Sequence, residues 1–216
     1  MKTFITVLIL FIFHWTSFGQ NNLGVTIQGG FSQIESYSET NSFHLALTGI
    51  AGLSYNYVLS KKSLLNAELI FQQMEDKSNI NFNLTDDNGN NVGSFSGHTY
   101  KQLSYLGIQC LYGYKINKLT IQLGLRISRI VRDYLQIKGV ADYNGSSTNE
   151  NLYNQLYLKH FDLGPVGEIQ YNLNSKFAID ASYYYGLNNI SKNSLNPVWR
   201  IRQLTIGLRY TLITKK

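Results

Sequence analysis

From Leu23 to the end of the chain, apolar and polar residues alternate, the period of strands with one apolar face. Leu23, Val25, Ile27 and Phe31 alternate with Gly24, Thr26, Gln28, Gly30 and Ser32. A second segment, starting at Phe43, places Leu45, Leu47, Ala51, Leu53, Tyr55 and Tyr57 on one face. Leu65, Ala67, Leu69 and Phe71 then oppose Asn66, Glu68 and Gln72, and Leu106, Ile108, Cys110, Tyr112 and Tyr114 oppose Gly107, Gln109 and Gly113. The later half repeats the scheme: Leu119 to Ile127 against Gln122 and Arg126, then Phe161 to Leu173 against Asp162 and Glu168. Phe177 to Tyr185 follows against Asp180, and Leu204 to Leu212 against Gln203 and Arg209. This predicts eight strands, an even number whose closure leaves no exposed edge.

The connections alternate in length. Ser60-Lys61-Lys62-Ser63, Asn117-Lys118 and Asn174-Ser175-Lys176 read as tight hairpin turns. The intervening connections, near 35–42, 77–100, 136–158 and 191–200, are long. Short turns on one rim and long loops on the other is the pattern of a transmembrane barrel. In the second long connection, Asp87-Asn88-Gly89-Asn90 sits between Ile80, Phe82, Leu84 and Val92, Phe95, which extends strands three and four as a hairpin above the membrane.

Composition decides which way the apolar faces point. Charged residues are 15% of the 216, against roughly 25% in a soluble domain, so the polar faces carry mainly Gly, Ser, Thr, Asn and Gln. A water-exposed face would be richer in Lys and Glu. The segments reach about ten residues, the length of a tilted membrane-spanning strand. Tyr and Phe gather toward both ends of the apolar faces, as interfacial girdles do. The rival is a soluble lipocalin-like binder in the periplasm, which shows the same alternation. The N-terminus favours the envelope: Lys2, an apolar run from Phe4 to Phe13, and Ser17-Phe18-Gly19 form a secretory signal with a cut before Gln20. The expected division is a leader over 1–19 and one barrel domain over 20–216, all-β, antiparallel and up-and-down. The net charge of +6 is scattered rather than clustered, so no nucleic-acid partner is expected. The single cysteine, Cys110, forms no internal disulfide and lies in an apolar frame.

Three stretches carry a family resemblance: Tyr105-Leu106-Gly107-Ile108-Gln109 with Tyr112-Gly113-Tyr114, Asp162-Leu163-Gly164-Pro165-Val166-Gly167-Glu168-Ile169-Gln170-Tyr171 leading to Lys176-Phe177, and Leu204-Thr205-Ile206-Gly207-Leu208-Arg209-Tyr210. They resemble the PorT-like outer-membrane β-barrel family of Bacteroidetes. The resemblance implies an eight-stranded outer-membrane barrel and allows an accessory role in protein secretion.

Candidate chemistry falls in two places. Glu68, Arg126, Glu168, Asp180 and Arg209 share the lumen-facing frame, and buried charges need partners, so a hydrogen-bonded ion-pair plug is expected there. A narrow small-solute pore is the alternative. Near the long-loop rim lie His44, His98 and His160, with Asp162 two residues beyond the last. A rim enzyme would use such a histidine and carboxylate as base and orienting partner. The chain has no H-E-x-x-H, G-x-S-x-G or metal-ligand spacing, so no catalytic residue, cofactor or metal is assigned. Arg129, Arg132, Lys138 and Lys159, with Lys77, Lys101, Arg200 and Arg202 nearby, are candidates for contact with lipopolysaccharide phosphates. The expected partners are outer-membrane lipid and lipopolysaccharide, with an envelope protein as the further candidate and a monomer as the state.

Overall fold

A computed structural model describes residues 21–36, 45–86, 88–143, 146–154, 158–190 and 199–215. The expected leader over 1–19 and His44 lie outside the described residues. Nine strands form: β1 (Asn21–Ser36), β2 (Leu45–Val58), β3 (Ser63–Thr85), β4 (Asn91–Ile116), β5 (Leu119–Tyr143), β6 (Ser146–Asn154), β7 (Phe161–Asn172), β8 (Phe177–Tyr185) and β9 (Trp199–Lys215). All pairings are antiparallel. β1 pairs with both β2 and β9, and β5 with both β4 and β7, so eight strands close into a ring. Closure satisfies every strand's backbone inside a layer that offers no water, the condition for crossing a membrane with strands.

The ring follows the alternation strand by strand. Ile27, Leu53, Leu69, Ile108, Leu123, Ile169 and Ile179 are exposed on its outer wall, as are Leu204, Ile206 and Leu208 of β9. Thr26, Ser54, Glu68, Gln109, Gln122, Glu168, Asp180 and Arg209 are buried inside. The outer wall is therefore apolar and the lumen polar, the arrangement of a barrel immersed in lipid. Two belts of aromatic side chains border it. Tyr112, Tyr114, Tyr171 and Phe177 are exposed toward the short turns, and Phe31, Phe71 and Phe161 toward the other rim. Cys110 is exposed on the same apolar wall.

The short turns have local causes. Asn117 takes φ 56° between β4 and β5, a left-handed conformation that asparagine tolerates better than most residues. Asn174 Oδ1 accepts the backbone N–H groups of Lys176 (2.8 Å) and Phe177 (2.9 Å), tightening the β7–β8 turn. At Gly207 and Gly124 the neighbouring strand comes so close that a Cβ would collide with the carbonyl oxygens of Ile27 and Cys110, so glycine permits the tight curvature of a small ring there.

The third long connection departs from the expected loop over 136–158. β5 continues to Tyr143 and returns as β6, paired from Tyr143↔Ser146 to Leu135↔Asn154. The Asn144-Gly145 dipeptide between them is a hairpin signal in the sequence. The extension of β3 and β4 occurs as expected, paired as far as Thr85↔Asn91. Together the upper parts of β3, β4 and β5 with β6 make a four-stranded sheet standing above the ring.

Along β3 and β4 the polarity of the two faces inverts at the rim without a break in the alternation. On β3 the outward series Leu65, Ala67, Leu69, Phe71 continues as Gln73, Glu75, Lys77, Asn79, Asn81. The inward series Asn66, Glu68, Gln72 gives way to Met74 and, past Asp76 and Ser78, to Ile80 and Phe82 higher up. β4 inverts at the same height, between Leu106 and Ser104 on its outer side. Lipid thus ends at the row Phe71, Leu106, Arg129, Phe161, which neighbouring strands bring into register.

Candidate functional site

The lower lumen holds one ionic cluster. Arg209, carried by β9, points Nη2 at Glu68 Oε1 of β3 (2.5 Å), Glu168 Oε1 of β7 (2.9 Å) and Asp180 Oδ2 of β8 (3.4 Å). All four side chains are almost completely buried. Uncharged donors also reach the carboxylates: Asn66 Nδ2 and Gln109 Nε2 donate to Glu68 (2.7 and 2.8 Å), Gln122 Nε2 to Glu168 (2.9 Å) and Thr26 Oγ1 to Asp180 (3.3 Å), while Glu168 Oε2 and Asp180 Oδ1 accept no bond. Such donors offset the desolvation that makes buried ion pairs expensive.

Arg126 stands apart from this cluster. Its guanidinium donates to three amides, Gln109 (3.0 Å), Gln203 (3.0 Å) and Gln72 (3.4 Å), and lies 4.7 Å from the Tyr184 ring centroid. Gln109 accepts from Arg126 through Oε1 and donates to Glu68 through Nε2, joining the two arginines' networks. Glu68, Arg126, Glu168, Asp180 and Arg209 all lie buried in the lumen, with Arg126 held by amides and an aromatic face and the other four in the ionic cluster. Gln72, Gln109 and Gln203 were legible only as polar members of the inward frame.

Above the polar layer, apolar side chains occupy the lumen. Met74, Leu103, Tyr105, Ile130, Leu158, Ile190 and Ile201 form one buried cluster toward the long-connection rim. Leu158 and Ile190 come from segments outside the nine strands, are buried in this cluster, and are joined by Lys159 N–H, which donates to the Ile190 carbonyl (2.7 Å). Neither residue belongs to a periodic segment, so no sequence signal marked them.

At the rim, the histidine and carboxylate that a rim enzyme would use, His160 and Asp162, do not form a pair. His160 is exposed, whereas Asp162 is buried and accepts the Tyr184 hydroxyl at 2.7 Å. His98 sits on the upper sheet with Nδ1 2.7 Å from Asn79 Oδ1.

The basic residues divide by position. Arg129 is exposed on the outer wall with its guanidinium 5.9 Å from the Phe161 ring centroid. A bulge leaves Val131 without a partner in the β4–β5 register, since Tyr105 faces Ile130 and Ser104 faces Arg132. The extra residue brings Arg132 onto the same outward face as Arg129, which strict alternation would not do. Lys138 lies higher, on the outer face of the sheet beside His98, and Lys159 is exposed just before β7. Lys101 pairs with Asp76 at 3.8 Å on the opposite face.

Comparisons agree with this architecture. The family model described as outer membrane protein beta-barrel domain matches residues 18–192. Among solved structures, Neisserial surface protein A is similar with a TM-score of 0.51 at 16% identity, over 90% of this chain and 100% of that one. Ail of Yersinia pestis, solved with the heparin analogue sucrose octasulfate, gives 0.42 at 14% identity over 90% and 100%. The outer membrane protease OmpT of Escherichia coli gives 0.35 at 9% identity over 91% and 98%. No curated protein matches the chain in sequence.

Proposed function

The chain belongs to the outer membrane protein beta-barrel domain family, and from that premise we propose that it is a non-enzymatic surface protein whose closed ring anchors the four-stranded sheet outside the cell. The observation that carries this reading is the filled lumen: an ionic layer around Arg209 lies beneath an apolar layer around Leu103. A side-chain filling of this kind suits a small barrel that holds something else in place. The short turns then face the periplasm and the sheet faces outward. The signal peptide is cut after Gly19, and one chain makes the complete barrel.

Arg129 and Arg132 contact lipopolysaccharide phosphates in this reading, with Lys138 and Lys159 as outlying members. Their shared outward face, with Arg129 in the last lipid-facing row and Arg132 just above it, supports the assignment. Loss of co-purifying lipopolysaccharide is expected in the variant Arg129→Ala/Arg132→Ala, and unchanged retention refutes the contact. A protein partner on the sheet would accord with the accessory secretion role that the PorT-like resemblance allows.

Cys110 is the chain's single cysteine, which makes a direct test available. In intact cells a membrane-impermeant maleimide is expected to label Asn81→Cys and to leave the lipid-facing Cys110 of the natural chain unlabelled. Labelling of Asn81→Cys only after the outer membrane is broken would place the sheet in the periplasm and overturn the orientation.

A further inference from the structure

The outer face of the upper sheet has a composition that solubility does not require. Asn79, Asn81 and Asn83 occupy every second position of β3, and Asn149 and Asn151 face the same way from β6. Asparagine is depleted in strands, and a solvent-facing row that needs only solubility takes Thr, Lys or Glu. Between these edges the face is concave. One hollow of about 570 Å³ is bordered by Asn79, Asn81, His98, Lys138, Asn149 and Asn151. A second, of about 530 Å³, lies below it, where Tyr100, Gln102, Tyr134 and Gln136 stand beside the charged Glu75 and Lys77, and it reaches Leu47 on the lipid-facing wall.

Several of these groups are already oriented by one another. Gln136 Nε2 donates to Asn151 Oδ1 (3.0 Å), Asn151 Nδ2 donates to Tyr153 Oη (3.2 Å), and the Tyr134 and Tyr153 rings are 6.0 Å apart. A primary amide presents an acceptor and two donors on one plane, which matches adjacent hydroxyls of a pyranose ring. A tyrosine ring offers an apolar face for the sugar's C–H groups together with a polar edge. Preorientation lowers the entropy lost when such a ligand binds.

We propose that this face binds the core oligosaccharide of the glycolipid seated against the barrel wall. Continuity identifies the occupant. The face begins where the lipid-facing wall ends at Phe71 and Leu106, so the first solute to meet it is the headgroup of a lipid already packed below. From Gln73 to Thr85 the sheet rises roughly 40 Å along the strand, enough to line several sugar units. The inference rests on the outward orientation given above.

The test uses the full-length protein in phospholipid nanodiscs free of lipopolysaccharide, titrated with delipidated core oligosaccharide. Binding is expected, about tenfold weaker in Asn81→Ala/Asn149→Ala, where two amide contacts are lost, and unchanged in Lys62→Ala at the opposite, short-turn rim. Heat-modifiable migration verifies that each variant folds. Absence of binding, equal binding by the amide variant, or equal binding of a plain glucan overturns the inference. Sensitivity only to the arginine pair also overturns it while leaving the phosphate contact standing. Capture of an envelope protein through the same amides, without a response to sugar, assigns the face to a protein and overturns it too. A failure of surface labelling in cells would count against the orientation separately from this titration.

Discussion

The ring and the sheet above it share three strands, yet they use opposite faces. Below the rim, β3 and β4 turn Leu69 and Ile108 outward and Glu68 and Gln109 inward; above it they turn Asn81 and Ser96 outward and Phe82 and Phe95 inward. Phe82 and Phe95 stack at 5.0 Å on the inner side, with Phe95 lying over Gly97 and Gly139. The backbone pairing is the same in both regions, so the solvent against each face, lipid below and water above, accounts for the difference. The regions also differ at their edges. Every ring strand has two neighbours, whereas β6 and the upper part of β3 each have one among the described residues. Stability is therefore expected to reside in the ring, and recognition in the sheet.

Substitutions can break this division in order of effect. Arg209→Ala leaves Glu68, Glu168 and Asp180 facing one another without their shared cation, and removing one partner of a buried ion cluster costs about 3–5 kcal/mol. Urea unfolding of the refolded barrel should show that loss; an unchanged midpoint would mean that the cluster does not hold the ring. Leu103→Ala opens a cavity in the apolar layer at the junction and should cost about 3 kcal/mol in the same measurement. A negligible effect there would show the upper layer to be loosely packed.

The smallest effect is expected at the tip of the sheet. Asp86 accepts the Asn90 side chain and the backbone N–H groups of Asn90 and Asn88, and these bonds, the Asn90 side chain first, hold its carboxyl below the usual range. A lowered carboxyl stabilises the tip above the unfolded value of about 4, and that contribution is lost as pH falls through the lowered value. Asp86→Ala should release the Asn88 and Asn90 amides at neutral pH as acid does in the natural chain, with the unfolding midpoint of the ring unchanged. NMR amide shifts would report both. A fall in that midpoint would contradict the independence of the two regions.

Much of the ring was legible because its signal is redundant. The period of two recurs in eight segments, and burial in the structure follows the expected faces of each. The lumen residues were legible as a set, since charges in an inward frame must meet. Their partners were not: that Arg126 would find Gln72, Gln109 and Gln203 depends on which strands lie across the lumen, and alternation says nothing about that. The β5–β6 hairpin was missed because polar Asn and Ser residues in β6 weaken the contrast between faces, although Asn144-Gly145 marked the turn. The inversion on β3 was present in the sequence as a change of apolar parity between Phe71 and Met74. That Arg132 shares an outward face with Arg129 depends on the bulge at Val131, which no residue type announces.

Single-channel recording of the purified natural protein in a planar bilayer tests the central claim most directly, namely that the ring is a closed anchor. The filled lumen predicts a quiet trace across applied voltage, with no steady conductance steps. Reproducible steady openings would contradict the closed lumen and favour a small-solute pore.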